Sequence, residues 1–147
     1  LPHIRRDMID FLQIPYYAIN GIKQGEGWTT PEGRHYAHEE LVIPADPPRS
    51  YAYCSDTSYL PANAPLLSGV DLLYHEATFG EDLAARAAET CHSTARQAAL
   101  LAKEAGVKRL LIGHYSSRYS DEQCLLDEAR QVFPDTLLAN EGMTLQV

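Results

Sequence analysis

Apolar side chains recur along the chain in two rhythms, one helical and one extended, and the changes between them mark out the elements. Ile4, Met8, Ile9, Phe11 and Leu12 fall at helical spacing and Pro15 follows, which predicts a short helix over residues 4–13. Between 21 and 33 the apolar positions thin out while Gly25, Gly27, Pro31 and Gly33 mark successive turns, so a surface loop or hairpin is expected there. After Asp46, Pro47 and Pro48, residues 50–54 alternate tyrosine with small side chains and stop at Ser55, Asp56 and Thr57. That pattern is a strand delivering Asp56 to its C-terminal end. Residues 66–70 make a brief helical segment. The nearly continuous apolar run from 70 to 75 then predicts a strand buried on both faces, ending in Glu76 and Thr78.

Two alanine-rich stretches, 81–89 and 93–105, have helical composition and spacing. Ser93 or Thr94 opens the second and Gly106 closes it. Residues 107–113 read as a third strand leading into His114, 121–133 as a helix capped near Ser120, and 136–139 and 143–147 as short final strands. Strands alternating with helices imply a layered α/β sheet, whose ligand sites gather beyond the carboxyl ends of the strands. Three strands end here at Asp56, at His75 and Glu76, and at His114.

With 147 residues and 45% hydrophobic content, the chain can bury a core of single-domain size, and one region is expected over 1–147: a lead-in helix and loop in 1–46, then sheet and helices in 47–147. The longest apolar runs fall far short of the roughly 20 residues of a membrane span. Cys54, Cys91 and Cys124 are widely spaced, without a CxxC, which argues against a disulfide framework or a thiolate zinc site; small core residues in a reducing, cytoplasmic setting is the reading. A net charge of −8 has the wrong sign for a protein that grips phosphates over its whole surface, so any nucleic acid must be held locally.

An aspartate, histidines and a glutamate converging on one rim are oxygen and nitrogen donors suited to a hydrolytic divalent metal, zinc first and manganese second. Read singly, Asp56 is as well explained as a turn carboxylate and His114 as a hydrogen-bonded histidine at a strand end. His75, directly before Glu76 on a strand, must point to the opposite face, where a buried structural role is expected. Ser93 and Thr94 read as helix caps, Trp28 as a packing anchor, Tyr16 and Tyr17 as interface or core, and His3, His35 and His38 as surface residues.

In that order, YCSDT, LLYHEATF, CHSTARQAA and IGHYSSRY closely resemble the later motifs of ribonuclease Z, the endonuclease that trims tRNA precursors at their 3′ ends. The match runs from about Pro47 to Tyr119, with weaker similarity from Phe11 to Gly33. The resemblance implies an α/β fold, the C-terminal half of a metallo-β-lactamase-type αββα sandwich, and attack of a metal hydroxide on a phosphodiester. It implies two zinc ions per complete site, with Mn2+ as an alternative, Asp56 as their bridging ligand and His114 as a ligand of the second. His92 would contact the scissile phosphate or protonate the leaving oxygen, and Glu76 would orient its ring. Ser116 and Arg118, close behind His114, read as binding phosphate or bracing the site, with an ordinary surface arginine as the alternative. The family's HxHxDH cluster and a further ligand histidine are absent from the chain, so the chain alone is expected neither to hold metal firmly nor to cleave RNA. The implied partners are a tRNA precursor, an N-terminal half carrying the HxHxDH ligands, and a second copy in a homodimer. Another hydrolase of the same fold acting on small phosphodiesters, or a non-catalytic half-domain acting by association, are the rival readings.

Overall fold

The computed structural model describes residues 1–147 and divides the chain into two compact units, Leu1–Pro48 and Arg49–Val147. In the first unit, β1 (His3–Ile4) leads into α1 (Arg6–Leu12), which Gln13 closes in the left-handed conformation at φ 50°. Next come α2 (Ile19–Lys23), the hairpin strands β2 (Trp28–Thr29) and β3 (His35–Tyr36), α3 (His38–Leu41) and β4 (Val42–Ile43). β1 pairs antiparallel with β4, and β2 with β3. The unit's small core is Ile14, Ile22, Tyr36, Leu41 and Val42, with Ile4, Met8, Ile9, Leu12 and Trp28 packed against it. Trp28 therefore anchors packing as expected, whereas Tyr16 and Tyr17 are 89% and 80% exposed and belong to no core of this chain.

The second unit holds four parallel strands in the order β5 (Tyr51–Cys54), β6 (Leu72–Glu76), β7 (Arg109–Gly113) and β8 (Thr136–Leu138). A 3₁₀ segment, Pro61–Leu67, links β5 to β6. α4 (Ala84–Glu89) and α5 (Ala95–Ala105) link β6 to β7, and α6 (Gln123–Val132) links β7 to β8. Parallel strands need such crossovers, and these put the helices over a face of the sheet. α5 is alanine-rich because it lies close to that face: Ala95, Ala98, Ala99, Leu101, Ala102 and Ala105 are all buried. Its N-terminus is a capping box, in which the Thr94 hydroxyl accepts from the Gln97 N–H and the Gln97 side chain accepts from the Thr94 N–H. Gly106, at φ 63°, closes it.

Pleating sorts the sheet residues by face. Cys54, His75, Ile112 and Leu138 lie in register, on the side that packs with α5 and α6. The opposite side carries Tyr51, Tyr53, Leu72, Tyr74, Leu111 and Leu137, and Tyr51 and Tyr53 on it are 52% and 64% exposed. Tyr53 stacks on Tyr74 with ring centroids 4.6 Å apart. Gly113 ends β7 because a Cβ there would stand 2.5 Å from the Tyr74 hydroxyl and 2.8 Å from its ring.

Three expectations are corrected. Residues 143–147 form no strand; Met143, Leu145 and Val147 instead line a groove with Tyr51, Leu72 and Leu111, since apolar side chains gain more from that sheet face than from an unprotected outer edge. The C-terminal helix starts behind Glu122, with the Asp121 carboxylate accepting the Gln123 N–H, so Ser120 is not its cap. Cys54 is half-buried and packs against the core as expected, but Cys91 and Cys124 are exposed and are not core residues. Their small size allowed burial, but their positions at a helix end and on an outer helix face decided otherwise. No helix is long and apolar enough to cross a membrane.

Candidate active site

The carboxyl ends of β5, β6 and β7 bring Asp56, Glu76 and His114 to one rim, and the turn after α4 adds His92. One potential ligand atom from each of these four residues lies within 4.8 Å of the others. The backbone is locally unusual at this rim. Of the four non-glycine residues with positive φ, three are Asp56 (54°), Cys91 (59°) and His114 (63°). Such conformations cost about 1 kcal/mol or more and persist only where surrounding contacts hold them.

The contacts that hold them are visible. At the end of α4 the His92 N–H donates to the Ala87 carbonyl (2.8 Å) and the Cys91 N–H to the Ala88 carbonyl (3.3 Å). This is a Schellman motif with cysteine where glycine is usual, and it turns the chain so that His92 follows the helix directly. The Asp56 loop is tied down through Thr57, whose N–H donates to Glu76 Oε1 (3.0 Å) and whose carbonyl accepts from the Ser93 hydroxyl (2.7 Å). Ser93 is thus a buried brace, and the helix cap falls to Thr94.

Glu76 is fully buried at the centre. Oε1 accepts from Thr57 N–H and from His92 Nδ1 at 2.8 Å, and Oε2 accepts from Thr78 N–H at 3.1 Å and the Thr78 hydroxyl at 2.7 Å. Burial pushes its pKa up, but the bonds from Thr78, His92 and the backbone outweigh burial and hold the pKa below the ordinary glutamate value. An ionised carboxylate can only accept, so all four neighbours donate to it. With four donors on its two oxygens, Glu76 has little left for a metal and acts as an orienting group.

His92 Nδ1 also lies 3.6 Å from Asp56 Oδ1, and its ring stands 5.3 Å from that of His114. Phe79 meets the His92 ring edge-on at 6.1 Å. Asp56 has a side chain 74% exposed and His114 is exposed, so both can be reached by a ligand. A divalent metal fits this donor chemistry in part: Asp56 offers carboxylate oxygens and His114 an imidazole nitrogen, two donors where a structural or hydrolytic zinc takes three or four from protein. Those two would hold it.

The remaining candidates fall around this centre. Ser116 gives its N–H to the Thr78 carbonyl, and its hydroxyl accepts the Arg118 N–H at 3.4 Å; the Arg118 guanidinium forms no ion pair and is exposed. His75 points to the helix-covered face, 1% exposed, its Nδ1 2.7 Å from the Glu76 carbonyl, and burial lowers its pKa. Thr57 and Thr78, expected only as polar residues at strand ends, carry site roles; Thr78 lies two residues beyond Glu76, a spacing that puts both on the same side of an extended chain.

Parallel strands presenting acidic and imidazole donors beyond their carboxyl ends make a layered α/β fold with a ligand rim, and likeness to a solved structure makes it part of a metallo-β-lactamase-type fold. A solved metallo-β-lactamase fold protein from Bacillus subtilis superposes with a TM-score of 0.57 at 30% sequence identity, covering 62% of this chain and 37% of that one. No family model matches the chain. Curated proteins named ribonuclease Z do: that of Bacteroides fragilis is 56% identical over 145 residues, covering 99% of this chain and 48% of that protein, and that of Phocaeicola vulgatus is 54% identical over 145 residues, covering 99% and 47%. The chain thus corresponds to the C-terminal half of these ribonuclease Z proteins and spans about half the length of the curated relatives it matches.

Proposed function

We propose that the chain is part of a zinc-dependent endoribonuclease that cleaves tRNA precursors at their 3′ ends. The observation that carries this reading is the buried Glu76 carboxylate holding His92 at 2.8 Å beside Asp56 and His114. The Bacteroides fragilis relative's name, ribonuclease Z, supports the choice of substrate. Asp56 is assigned as the bridging ligand and His114 as a ligand. When bound, zinc, or manganese in its place, would lower the pKa of water to about 7 and stabilise charge on a phosphoryl oxygen.

The residues of the chain then divide the remaining work. His92 donates Nδ1–H to Glu76, which orients the ring and leaves Nε2 to carry the proton for the leaving oxygen. Ser116 and Arg118 are assigned to the phosphate. Further ligands come from a segment carrying an HxHxDH cluster, a reading supported by the two-donor count and by the exposed Tyr51 and Tyr53 on the outer face of the sheet. The complete protein is read as a cytoplasmic homodimer.

Incubating the full-length protein with a tRNA precursor and, separately, with a chromogenic phosphodiester tests the reading. Cleavage at the 3′ trailer, abolished by a chelator and restored by zinc, is expected. Hydrolysis of the diester with no cleavage of the precursor would move the protein to another phosphodiesterase of the same fold.

A further inference from the structure

One buried carboxylate at this site reaches both histidines. Glu76 Oε1 meets His92 Nδ1 directly, whereas Oε2 reaches His114 through a hydroxyl: Thr78 Oγ1 lies 2.7 Å from Oε2 and 2.9 Å from His114 Nδ1. We propose that Thr78 is a positioning residue whose hydroxyl links the Glu76 carboxylate to His114 and selects the imidazole tautomer protonated at Nδ1, leaving the Nε2 lone pair for a metal. The proposal rests on the reading of His114 as a metal ligand.

The number of protons on the Thr78 hydroxyl fixes the tautomer. A threonine hydroxyl has a single proton and two lone pairs. Oγ1 has three neighbours: Glu76 Oε2 at 2.7 Å, His114 Nδ1 at 2.9 Å and the His114 carbonyl at 2.9 Å. Glu76, held ionised by its four donors, can accept only, and a bond to a charged acceptor is about twice as strong as one to a neutral carbonyl. The proton therefore goes to Glu76. Oγ1 is left with lone pairs, so the bond to His114 exists only if Nδ1 carries a proton. A neutral imidazole protonated at Nδ1 has its lone pair on Nε2.

The position of Thr78 is rigid enough for the task. It is 7% exposed, its N–H is spent on Glu76, and its carbonyl accepts the Ser116 N–H just beyond His114. His114 has positive φ, a backbone conformation that persists because surrounding contacts hold it. A carboxylate acting through a hydroxyl would orient this ring as a directly bonded carboxylate orients other ligand histidines.

The test uses the full-length protein with selective ¹⁵N-histidine labelling, and compares Thr78→Val with Thr78→Ser. In wild type, His114 is expected to show a protonated Nδ1 and an unprotonated Nε2. Thr78→Val, which keeps the shape and removes the hydroxyl, should lower zinc affinity about 10- to 100-fold in chelator competition and shift the His114 nitrogen signals. Thr78→Ser should restore both. An unprotonated Nδ1 in wild type overturns the proposal without any variant, as does a folded Thr78→Val protein with wild-type zinc affinity. Weakened zinc binding in Thr78→Val alongside no cleavage of a tRNA precursor by wild type upholds the Thr78 role and refutes the ribonuclease reading alone.

Discussion

Replacing Glu76 by glutamine changes one atom in the structure and should lower stability and turnover together. The carboxylate accepts four hydrogen bonds, two on each oxygen. An amide offers one acceptor oxygen and an NH2 that only donates, so two of the four donors must face a donor. The less costly orientation turns the NH2 toward Thr78. The Thr78 hydroxyl can swing to the His114 carbonyl 2.9 Å away, but the Thr78 backbone N–H is then stranded. One buried unsatisfied N–H, together with the weakening of charge-assisted bonds to neutral ones, amounts to about 2–4 kcal/mol of lost stability. His92 loses its anionic partner, and turnover should fall about 10²–10⁴-fold, the range for an impaired general acid. The Thr78 hydroxyl, turned to the His114 carbonyl, keeps two lone pairs and still accepts from His114 Nδ1–H, so zinc binding should change far less than turnover. Urea denaturation at fixed protein concentration, turnover of a tRNA precursor and zinc competition would each be measured on full-length wild type and Glu76→Gln. A variant with wild-type stability and turnover would refute the claim that this carboxylate organises the site.

Three further outcomes are expected. Asp56→Ala should abolish turnover and lower zinc occupancy, measured by elemental analysis of the purified full-length protein; retained activity would remove its bridging role. Stability should fall with pH in two windows. Burial keeps His75 from taking up a proton that the unfolded chain binds, so stability declines as pH drops below about 6.5. Asp71, held low by Lys108 and Ser50, and Glu76, where hydrogen bonds outweigh burial, add a second loss below about 4, as protons bind the unfolded chain first. Melting curves across pH should show His75→Gln lacking the upper window, and an unchanged upper window would contradict this account. Cys91→Gly relieves a left-handed cysteine at φ 59° and should stabilise by up to about 1 kcal/mol, less than the full relief because the unfolded chain also gains freedom. A lower urea midpoint would show that the cysteine side chain contributes more than the strain costs.

Much of the architecture was legible from the order of residues because it depends on local pattern. Burial of 72–76 on both faces followed from an unbroken apolar run, and the limits of α5 followed from Thr94, Gln97 and Gly106, whose capping chemistry acts within one turn. The residues 143–147 misled because alternation records which side chains are apolar and not which strand they join. Asp56, Glu76 and His114 could be named as strand-end residues from the sequence alone, since a strand's last residue is a local property. Their meeting with His92 within 4.8 Å is not local. Parallel registry sets Glu76 beside Gly113, and a Schellman turn swings His92 in from the helix side. Only the packed chain could show that one carboxylate serves two histidines, or that Thr78 stands between Glu76 and His114, because a hydrogen bond spanning 36 residues leaves no mark on sequence spacing.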